Sequence, residues 1–337
     1  MKNKRIIFTE INKAELLDFE LSELGENDVM VETMVSTISC GTERANITGD
    51  KNVNAGGIEI PFPRSSGYNS SGIVVKKGKN VKSVEIGDRV VVFWGNHNKY
   101  NIVNEANVVK IGSSVSFETA AMSFISTFPM AAIRKTRLEM GESAMVMGLG
   151  ILGMTAVKLL RVAGAIPIIA ADPNYSRREM ALKNGADYAF DPLEAGFAEK
   201  VKSVTDGGVN VAIEVTGVGD GFNEALDCMA KFGRVALLGC TRNSDFTVDY
   251  YKKIHGPGIT VIGAHTIARP DYESHPGWFT HRDDINAVLK LCRGGRLCLE
   301  SLIGETHSPE ECSEVYKRLV FDKDFPVVVQ FDWRNLK

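Results

Sequence analysis

The sequence predicts an α/β protein in which a doubly wound parallel sheet interrupts a second, β-rich domain. Residues 1 to about 115 hold short β-branched or alternating runs, separated by Gly and Asn/Asp turn signals. From Ser143 to about Ala264, strands alternate with helices, which is typical of a parallel, doubly wound sheet. The tail from Arg282 then returns to helices and a last strand. The chain therefore leaves the β-rich domain and rejoins it.

The individual elements follow from local patterns. In the first segment we predict strands at Lys4–Glu10, Val29–Ile38, Gly72–Val75, Arg89–Phe93 and Tyr100–Val109. Residues 117–135 read as a helix, broken or kinked near Pro129 because proline lacks the backbone N–H. The parallel strands are Ser143–Met147, Ile166–Ala171, Val209–Val215, Arg234–Leu238 and Ile259–Ile262. The tail contributes helices at Asp284–Leu291 and Pro309–Leu319 and a strand at Pro326–Phe331. We therefore expect one domain at residues 1–123 and 266–337, and the other at 124–265.

A glycine motif between the first strand and helix of the parallel sheet indicates a dinucleotide site. Gly148, Gly150 and Gly153 fit G-x-G-x-x-G, and the loop residues Ile151 and Leu152 complete it. These glycines permit the tight turn, the approach of backbone to pyrophosphate and close helix–strand packing, and the helix N-terminus stabilises phosphate. Asp172 ends the second strand, where a carboxylate accepts hydrogen bonds from ribose and repels a 2′-phosphate. The pattern predicts NAD.

Further cofactor contacts are expected where later strands end, because ligands of doubly wound sheets lie at the carboxyl ends of the strands. Thr216 follows one strand, Gly239 and Cys240 follow the next, and His265 follows the last. Two arginines, Arg177 and its neighbour Arg178, keep NADP open as an alternative, since arginine pairs well with a 2′-phosphate.

Composition excludes other classes of partner. The 337 residues carry a net charge of −3, which gives no electrostatic footprint for nucleic acid. No apolar run reaches the ~18 residues needed to span a membrane, and no signal-peptide core follows the N-terminus. The six cysteines are scattered without a CxxC motif. This usage favours reduced thiols and a cytoplasmic protein with a small-molecule substrate.

Several segments resemble the medium-chain dehydrogenase/reductase superfamily, of the zinc alcohol dehydrogenase type. They are Ile38-Ser-Cys-Gly-Thr-Glu43, Gly67-Tyr-Asn-Ser-Ser-Gly72, Val84-Glu-Ile-Gly-Asp-Arg-Val90 and the glycine motif. The resemblance implies a GroES-like catalytic domain, a Rossmann domain and an active site in the cleft between them. It also implies a homodimer that pairs the last Rossmann strand, here Gly258–Gly263, across a twofold axis.

The same resemblance shows where the chain departs from zinc-dependent members. Those members bind catalytic zinc through a Cys, a His and often a Glu of G-H-E-x-x-G, and a later Cys or acid. Here the corresponding positions hold Cys40, Tyr68, Asn69 and, judged by spacing, Ser123. Only the thiol is a good zinc ligand, so we predict that the metal is lost and that Cys40 is vestigial. The cysteine lobe that holds a structural zinc is also missing.

The metal-free site offers four candidate catalytic residues, each with a structural alternative. Tyr68 can hold the substrate oxygen or merely fill the vacated pocket, and Thr42 can relay the hydroxyl proton or cap a short helix. Glu43 can act as an acid/base or orient its loop. His97 lies in a loop expected near the cleft but can equally be an exposed histidine. A metal site rebuilt from Cys40 with Glu43 or His97 stays open as the minor alternative.

The function that these features predict is an NAD-dependent, zinc-independent oxidation of a secondary alcohol, such as a polyol, cyclitol or sugar derivative. The alternatives are an NADPH-dependent enoyl or quinone reductase and a catalytically decayed dinucleotide-binding redox sensor.

Overall fold

The computed structural model describes residues 2–53 and 59–336. Its strands, in chain order, are β1 (Lys2–Glu10), β2 (Lys13–Glu20), β3 (Asp28–Thr37), β4 (Arg64–Ser65), β5 (Asn69–Lys77), β6 (Arg89–Phe93), β7 (Tyr100–Asn104), β8 (Val108–Lys110), β9 (Ala144–Met147), β10 (Ile168–Ala171), β11 (Tyr188–Phe190), β12 (Val209–Glu214), β13 (Met229–Leu237), β14 (Thr260–Gly263), β15 (Ile303–His307) and β16 (Val328–Asp332). The helices are α1 (Cys40–Ile47), α2 (Phe117–Thr136), α3 (Ile151–Ala163), α4 (Tyr175–Lys183), α5 (Phe197–Val204), α6 (Gly219–Asp227), α7 (His281–Arg293) and α8 (Cys312–Phe321).

The chain divides into two compact units. The first consists of Met1–Ile125 with Ile285–Lys337, and the second of Ser126–Asp284. The sequence pattern placed the return to the first domain at residue 266, whereas the second unit continues to Asp284 and the first unit resumes at Ile285. Residues 266–284 belong to the second unit because charged groups of that unit bind them. Lys135 Nζ donates to the carbonyl of Ala268 at 2.5 Å, and Arg134 and Arg269 pair with the buried Asp284 at 3.0 and 3.2 Å.

The first unit is β-rich, as predicted. Its larger sheet has the order β15-β16-β3-β5-β6-β8, with β7 also paired to β3, and a smaller sheet has the order β2-β1-β4. The chain end joins this unit because β16 pairs antiparallel with β3, with Gln330 opposite Thr37. One core lies around the fully buried Tyr316, Phe331 and Trp333.

The second unit contains the parallel sheet that the alternating pattern predicts. Its order is β11-β10-β9-β12-β13-β14, with all neighbours parallel. The central strands β9, β10 and β12 are buried apolar runs, as in Met145 and Ile169, because helices cover both faces of such a sheet. The order reverses direction at β9, so the loop after β9 lies at the switch point where ligands of this fold class bind.

Some elements differ from the sequence-based expectation. Residues 117–135 were expected to form a helix broken or kinked near Pro129. The helix is not broken, since it is continuous over Phe117–Thr136, and the residues around the proline are almost all buried. Burial of that apolar helix offsets the roughly 3 kcal/mol that an interior proline costs.

The strand expected at Tyr100–Val109 is split by a 3-10 turn at Glu105–Asn107, which Asn104 caps. Strands β2, β4, β11 and β15 were not predicted. Within the described segments, no helix is long and apolar enough to cross a membrane.

Candidate functional site

The start of α1 carries the segment that resembles a metal-binding motif. Ser39 is the N-cap and Cys40 is the first helical residue, so the helix begins slightly before the Thr42–Glu43 start that was considered. The Cys40 thiol is half-buried, 3.8 Å from the carbonyl oxygen of Val327. Thr42 is also half-buried, on the first turn.

Tyr68 directs its hydroxyl to this helix start. The phenol oxygen lies 2.6 Å from Ser39 Oγ, and because both groups are hydroxyls, either one can donate the hydrogen bond. The ring packs against Trp94 and Phe124, with centroid distances of 5.7 and 5.9 Å. Packing and the hydrogen bond together hold a hydroxyl at the position where the resemblance places a metal ligand.

Glu43 and His97 belong to a buried hydrogen-bond network. Glu43 Oε1 accepts from the Ser39 backbone N–H at 2.7 Å, while Oε2 accepts from the Tyr316 hydroxyl and lies 3.2 Å from His97 Nε2. His97 Nδ1 lies 2.7 Å from Ser36 Oγ. Glu43 and His97 are 2% and 0% exposed, so His97 is not the exposed loop histidine that was considered. Burial, and then the Glu43 charge, raise the pKa of Tyr316 well above its usual range, so this phenol remains a donor.

These residues do not fit a catalytic zinc. Among residues 2–53 and 59–336, no group of three or more His, Cys, Asp or Glu side chains could hold a metal ion. Ser123 Oγ, at the expected third position, is 3.2 Å from the carbonyl of Thr119. Glu43 already accepts from the Ser39 N–H and the Tyr316 hydroxyl, and His97 bonds to Glu43 rather than grouping with Cys40. One thiol with neutral hydroxyl and amide neighbours is a poor zinc site.

In the second unit, the loop between β9 and α3 fits a dinucleotide. Gly148 has φ of +97°, a conformation that favours glycine. Gly150 is the N-cap of α3, and a Cβ there would meet no described atom within 4 Å. A Cβ at Gly153 would lie 1.9 Å from the carbonyl oxygen of Gly148, so only glycine lets helix and loop pack this closely. Ile151 and Leu152 open α3, where free N–H groups favour an anion.

Asp172 is attached to that glycine loop. Its Oδ2 accepts from the backbone N–H of Leu149 at 2.8 Å, and Oδ1 accepts from Asn174 N–H at 2.8 Å. A carboxylate has about four lone-pair sites, so acceptor capacity remains for ribose hydroxyls. Arg177 lies 3.8 Å from the same carboxylate. Arg178 uses one nitrogen, Nη1, to donate to the Asp172 carbonyl and to pair with Asp191, the residue after β11.

The turns after β12 and β13 are packed backbone to backbone. Glu214 accepts from the Thr216 N–H at 2.7 Å, from its hydroxyl and from Gly217 N–H at 3.2 Å, which fixes the first turn. A Cβ at Gly239 would lie 2.6 Å from Gly217 N, and one at Gly217 would lie 2.6 Å from the carbonyl oxygen of Cys240. Thr216, Gly239 and Cys240 therefore share one edge of the sheet, as expected for ends of neighbouring parallel strands.

His265 follows β14 and is half-buried. Its Nδ1 accepts from the Ile267 N–H at 3.3 Å. Burial, and then the charges of Arg242 and Lys135, lower the pKa of this imidazole. A neutral ring brings a hydrogen-bond donor but no positive charge, which weakens the case for His265 as a phosphate-binding cation.

The two units match separate families. Residues 25–126 match the alcohol dehydrogenase GroES-like domain, and residues 152–277 match the zinc-binding dehydrogenase family. An L-threonine 3-dehydrogenase of Francisella philomiragia is 31% identical over 289 residues, covering 73% of this chain and 79% of the relative. The chain belongs to the medium-chain dehydrogenase/reductase superfamily. The predicted family and its GroES-like plus Rossmann fold are thereby confirmed, and the protein is an oxidoreductase of the alcohol dehydrogenase type.

More distant relatives of this dehydrogenase cover nearly its whole length. A D-guloside 3-dehydrogenase of Escherichia coli is 23% identical over 338 residues, covering 94% of this chain and 96% of the relative. The solved 2R,3R-butanediol dehydrogenase of Bacillus subtilis superposes with a TM-score of 0.81 at 22% identity, over 98% of this chain and 99% of that one. An Escherichia coli alcohol dehydrogenase complexed with NADH superposes with a TM-score of 0.83 at 18% identity, over the same shares. At these identities the structural likenesses establish the fold.

Sequence reasoning missed several groups around the catalytic candidates of this dehydrogenase. Ser39 links two of them, since its hydroxyl meets Tyr68 and its N–H meets Glu43. Ser39 belongs to the segment Ile38–Glu43 that carries the resemblance. A serine directly before a helix is a known N-cap signal, and this signal could have identified it. Trp94, with φ of +59° and 42% exposure, and Tyr316 carried no comparable local signal.

Proposed function

We propose that this dehydrogenase oxidises a secondary alcohol with NAD and without a catalytic metal ion. The single observation that carries the metal-free part is the Tyr68 hydroxyl, held 2.6 Å from Ser39 Oγ at a metal-ligand position of the family. The glycine loop and Asp172 carry the preference for NAD, because the carboxylate is tied to the loop where it would face the ribose. Arg178 Nη1 is held by carbonyl and carboxylate acceptors, which directs this side chain to them rather than to a 2′-phosphate.

In the proposed reaction, NAD held by the glycine loop and Asp172 would accept the hydrogen of the carbinol C–H as hydride and become NADH. The hydroxyl proton would leave to a base or solvent, so that the alcohol becomes a ketone. Tyr68 donates a hydrogen bond to the substrate oxygen, with Ser39 holding the phenol in place. A fixed neutral donor at a developing negative charge does the work that a metal ion does in zinc-dependent members. Thr42, on the same helix turn, relays the proton.

Glu43 and His97 have a positioning role in this proposal. Their side chains are buried and mutually bonded, and Glu43 fixes the Ser39 backbone. They set the position of Ser39 and, through it, of the Tyr68 hydroxyl. The substrate class that we propose is a polyol, cyclitol or sugar derivative, which agrees with the guloside and butanediol named for two relatives.

Two experiments test the cofactor and the residue roles. In fluorescence titrations we expect tighter binding of NADH than of NADPH, and Asp172→Ala should shrink that difference; tighter NADPH binding by the wild type would mean that Arg177 overrides the carboxylate. With a substrate identified from an alcohol panel, Tyr68→Phe and Thr42→Val should lower kcat by about 10²–10³ while the NADH affinity stays constant. Enoyl or quinone reduction with NADPH, or cofactor binding without any turnover, would favour the alternative functions.

We further propose a homodimer built on β14. This strand is the edge of the six-stranded sheet, and Thr260, Val261 and Gly263 are exposed. An exposed apolar edge strand pairs readily with a second copy. Light scattering at micromolar concentration should give twice the chain mass, and Val261→Lys should reduce it to the monomer value; a wild-type monomer would refute this interface.

A further inference from the structure

Asn69 carries an amide that the described part of the chain leaves unsatisfied. Its side chain is 1% exposed, and neither Nδ2 nor Oδ1 has a hydrogen-bond partner among the described residues. Buried amides in folded proteins are almost always bonded, because an unpaired donor and acceptor both lose their hydration without compensation. An amide in this state marks a place that a further polar group occupies.

The position of Asn69 in the sheet strengthens this reading. β5 pairs with β3 with Ser36 opposite Ser70, so one step further along the register Asn69 lies opposite Thr37. On the far side of Thr37 lies Gln330, whose Nε2 donates to the Thr37 hydroxyl at 3.0 Å. Gln330 Oε1 also has no partner in the described chain. A buried polar row therefore crosses three strands, with an unpaired group at each end.

This row lies beside the proposed catalytic hydroxyl. Asn69 pairs across the sheet with Phe93, whose ring packs 5.1 Å from that of Phe124. The same Phe124 ring contacts Tyr68, the residue that precedes Asn69 in the chain. Within the first unit, Phe124 thus contacts both Tyr68 and Phe93, the strand partner of Asn69.

We propose that Asn69 is a specificity-determining residue that binds a second oxygen of the substrate, on the carbon next to the one that is oxidised. The inference rests on the proposed alcohol oxidation and names its substrate class, a vicinal diol or the corresponding hydroxyketone. One amide offers a donor and an acceptor side by side, which matches a hydroxyl that accepts and donates at once. A simple alcohol leaves the amide unpaired, and buried sites built to bond a hydroxyl reject analogues that lack it.

The test compares substrates that differ by one hydroxyl. kcat/KM is measured for cyclohexane-1,2-diol, as separate isomers, and for cyclohexanol, in the wild type and in Asn69→Leu, which keeps the branched shape and the number of side-chain heavy atoms and removes both polar atoms. We expect the wild type to prefer one diol isomer by at least about 10²-fold. In Asn69→Leu the preference should fall to within about threefold of unity, with cyclohexanol turnover and NADH affinity retained.

A matched control separates this role from packing. Ser71 lies two residues along the same strand and is fully buried, but its hydroxyl is paired with the Phe117 carbonyl at 2.6 Å. Ser71→Ala should lower the melting temperature and keep the diol preference. Asn69→Leu should keep or raise the melting temperature, since it removes an unpaired amide; if it does not fold, Asn69→Ala replaces it.

Each outcome bears on the proposal. A diol preference that survives in Asn69→Leu overturns it, as does a wild type that oxidises both compounds equally, and the amide then holds a trapped water. If the wild type oxidises neither the diol nor cyclohexanol, the affinity of the NADH-loaded enzyme for both compounds is measured by calorimetry. Diol binding that Asn69→Leu abolishes would support the site and refute the proposed oxidation. Absence of preferential diol binding would refute the site.

Discussion

Gly150 and Gly153 differ in what surrounds them, and substitution by alanine separates two roles of the glycine motif. At Gly153 a Cβ would lie 1.9 Å from the carbonyl oxygen of Gly148, about 1.5 Å closer than an ordinary contact of 3.4 Å. The clashing atom is backbone, so relief requires α3 to move away from the loop. Overpacking of this kind costs about 1–3 kcal/mol and more where nothing yields, so we expect Gly153→Ala to cost about 3 kcal/mol.

Gly150→Ala is the matched control, because a Cβ there would meet no described atom within 4 Å. Its φ of −74° suits alanine. Alanine is a poorer N-cap than glycine, which destabilises the helix, but it also reduces the conformational entropy of the unfolded chain, which stabilises the fold. Because these effects oppose each other, the free energy of unfolding should change by less than about 1 kcal/mol. If the open space at Gly150 is where the pyrophosphate approaches the backbone, its methyl group should instead weaken NADH binding by at least about tenfold.

The assay combines calorimetry with NADH titration on both variants. A loss of about 3 kcal/mol in a unit of this size should lower the melting temperature of Gly153→Ala by about 6–12 °C. Gly150→Ala should melt near the wild type and bind NADH poorly. Unchanged NADH affinity in Gly150→Ala would refute the placement of the cofactor, and an unshifted melting temperature in Gly153→Ala would refute the packing argument.

Three further outcomes follow from the chemistry of single sites. Protein purified without added zinc should contain much less than one zinc per chain; one bound atom, lost in Cys40→Ala, would contradict the proposed metal-free site. Burial, and then a nearby arginine, lower the pKa of His281 to about 3, so the unfolded chain binds one more proton between about pH 6.5 and 3. The free energy of unfolding should therefore fall as the pH drops through that window, by up to about 1.4 kcal/mol per pH unit. His281→Gln should flatten this dependence on pH. An unchanged slope in the variant would mean that the ring takes up its proton in the native state. The hydrogen bonds from Arg318 lower the pKa of Glu305 to about 2, so their contribution is present above about pH 4.5 and lost towards pH 2. The pair is about a third exposed, so Glu305→Gln should cost at most about 1 kcal/mol at pH 7 and nothing at pH 2; an equal cost at both would exclude the ionic origin.

The prediction of the fold relied on patterns that are local in the chain. The alternation after Ser143 and the glycine motif identified the parallel sheet. The five predicted strands begin and end within a few residues of the expected bounds except β13, which starts five residues earlier, at Met229, and the edge strand β11 was not predicted. The departures arose where tertiary contacts override local preference. Pro129 stays inside α2 because the helix around it is buried, and residues 266–284 join the second unit because the buried Asp284 requires the arginines of that unit.

The sequence by itself determined the family, and it predicted the dinucleotide loop with Asp172 and the departure from the zinc-ligand motif at Tyr68 and Asn69, because each depends on residue types at short spacing. Only the tertiary structure decided what those residues meet. Ser39 links Tyr68 to Glu43, His97 is sealed inside a network with Glu43, and the Asn69 amide is buried without a partner in the described chain. These relations join residues that are distant in the chain, and burial and hydrogen-bond satisfaction exist only after the strands have paired.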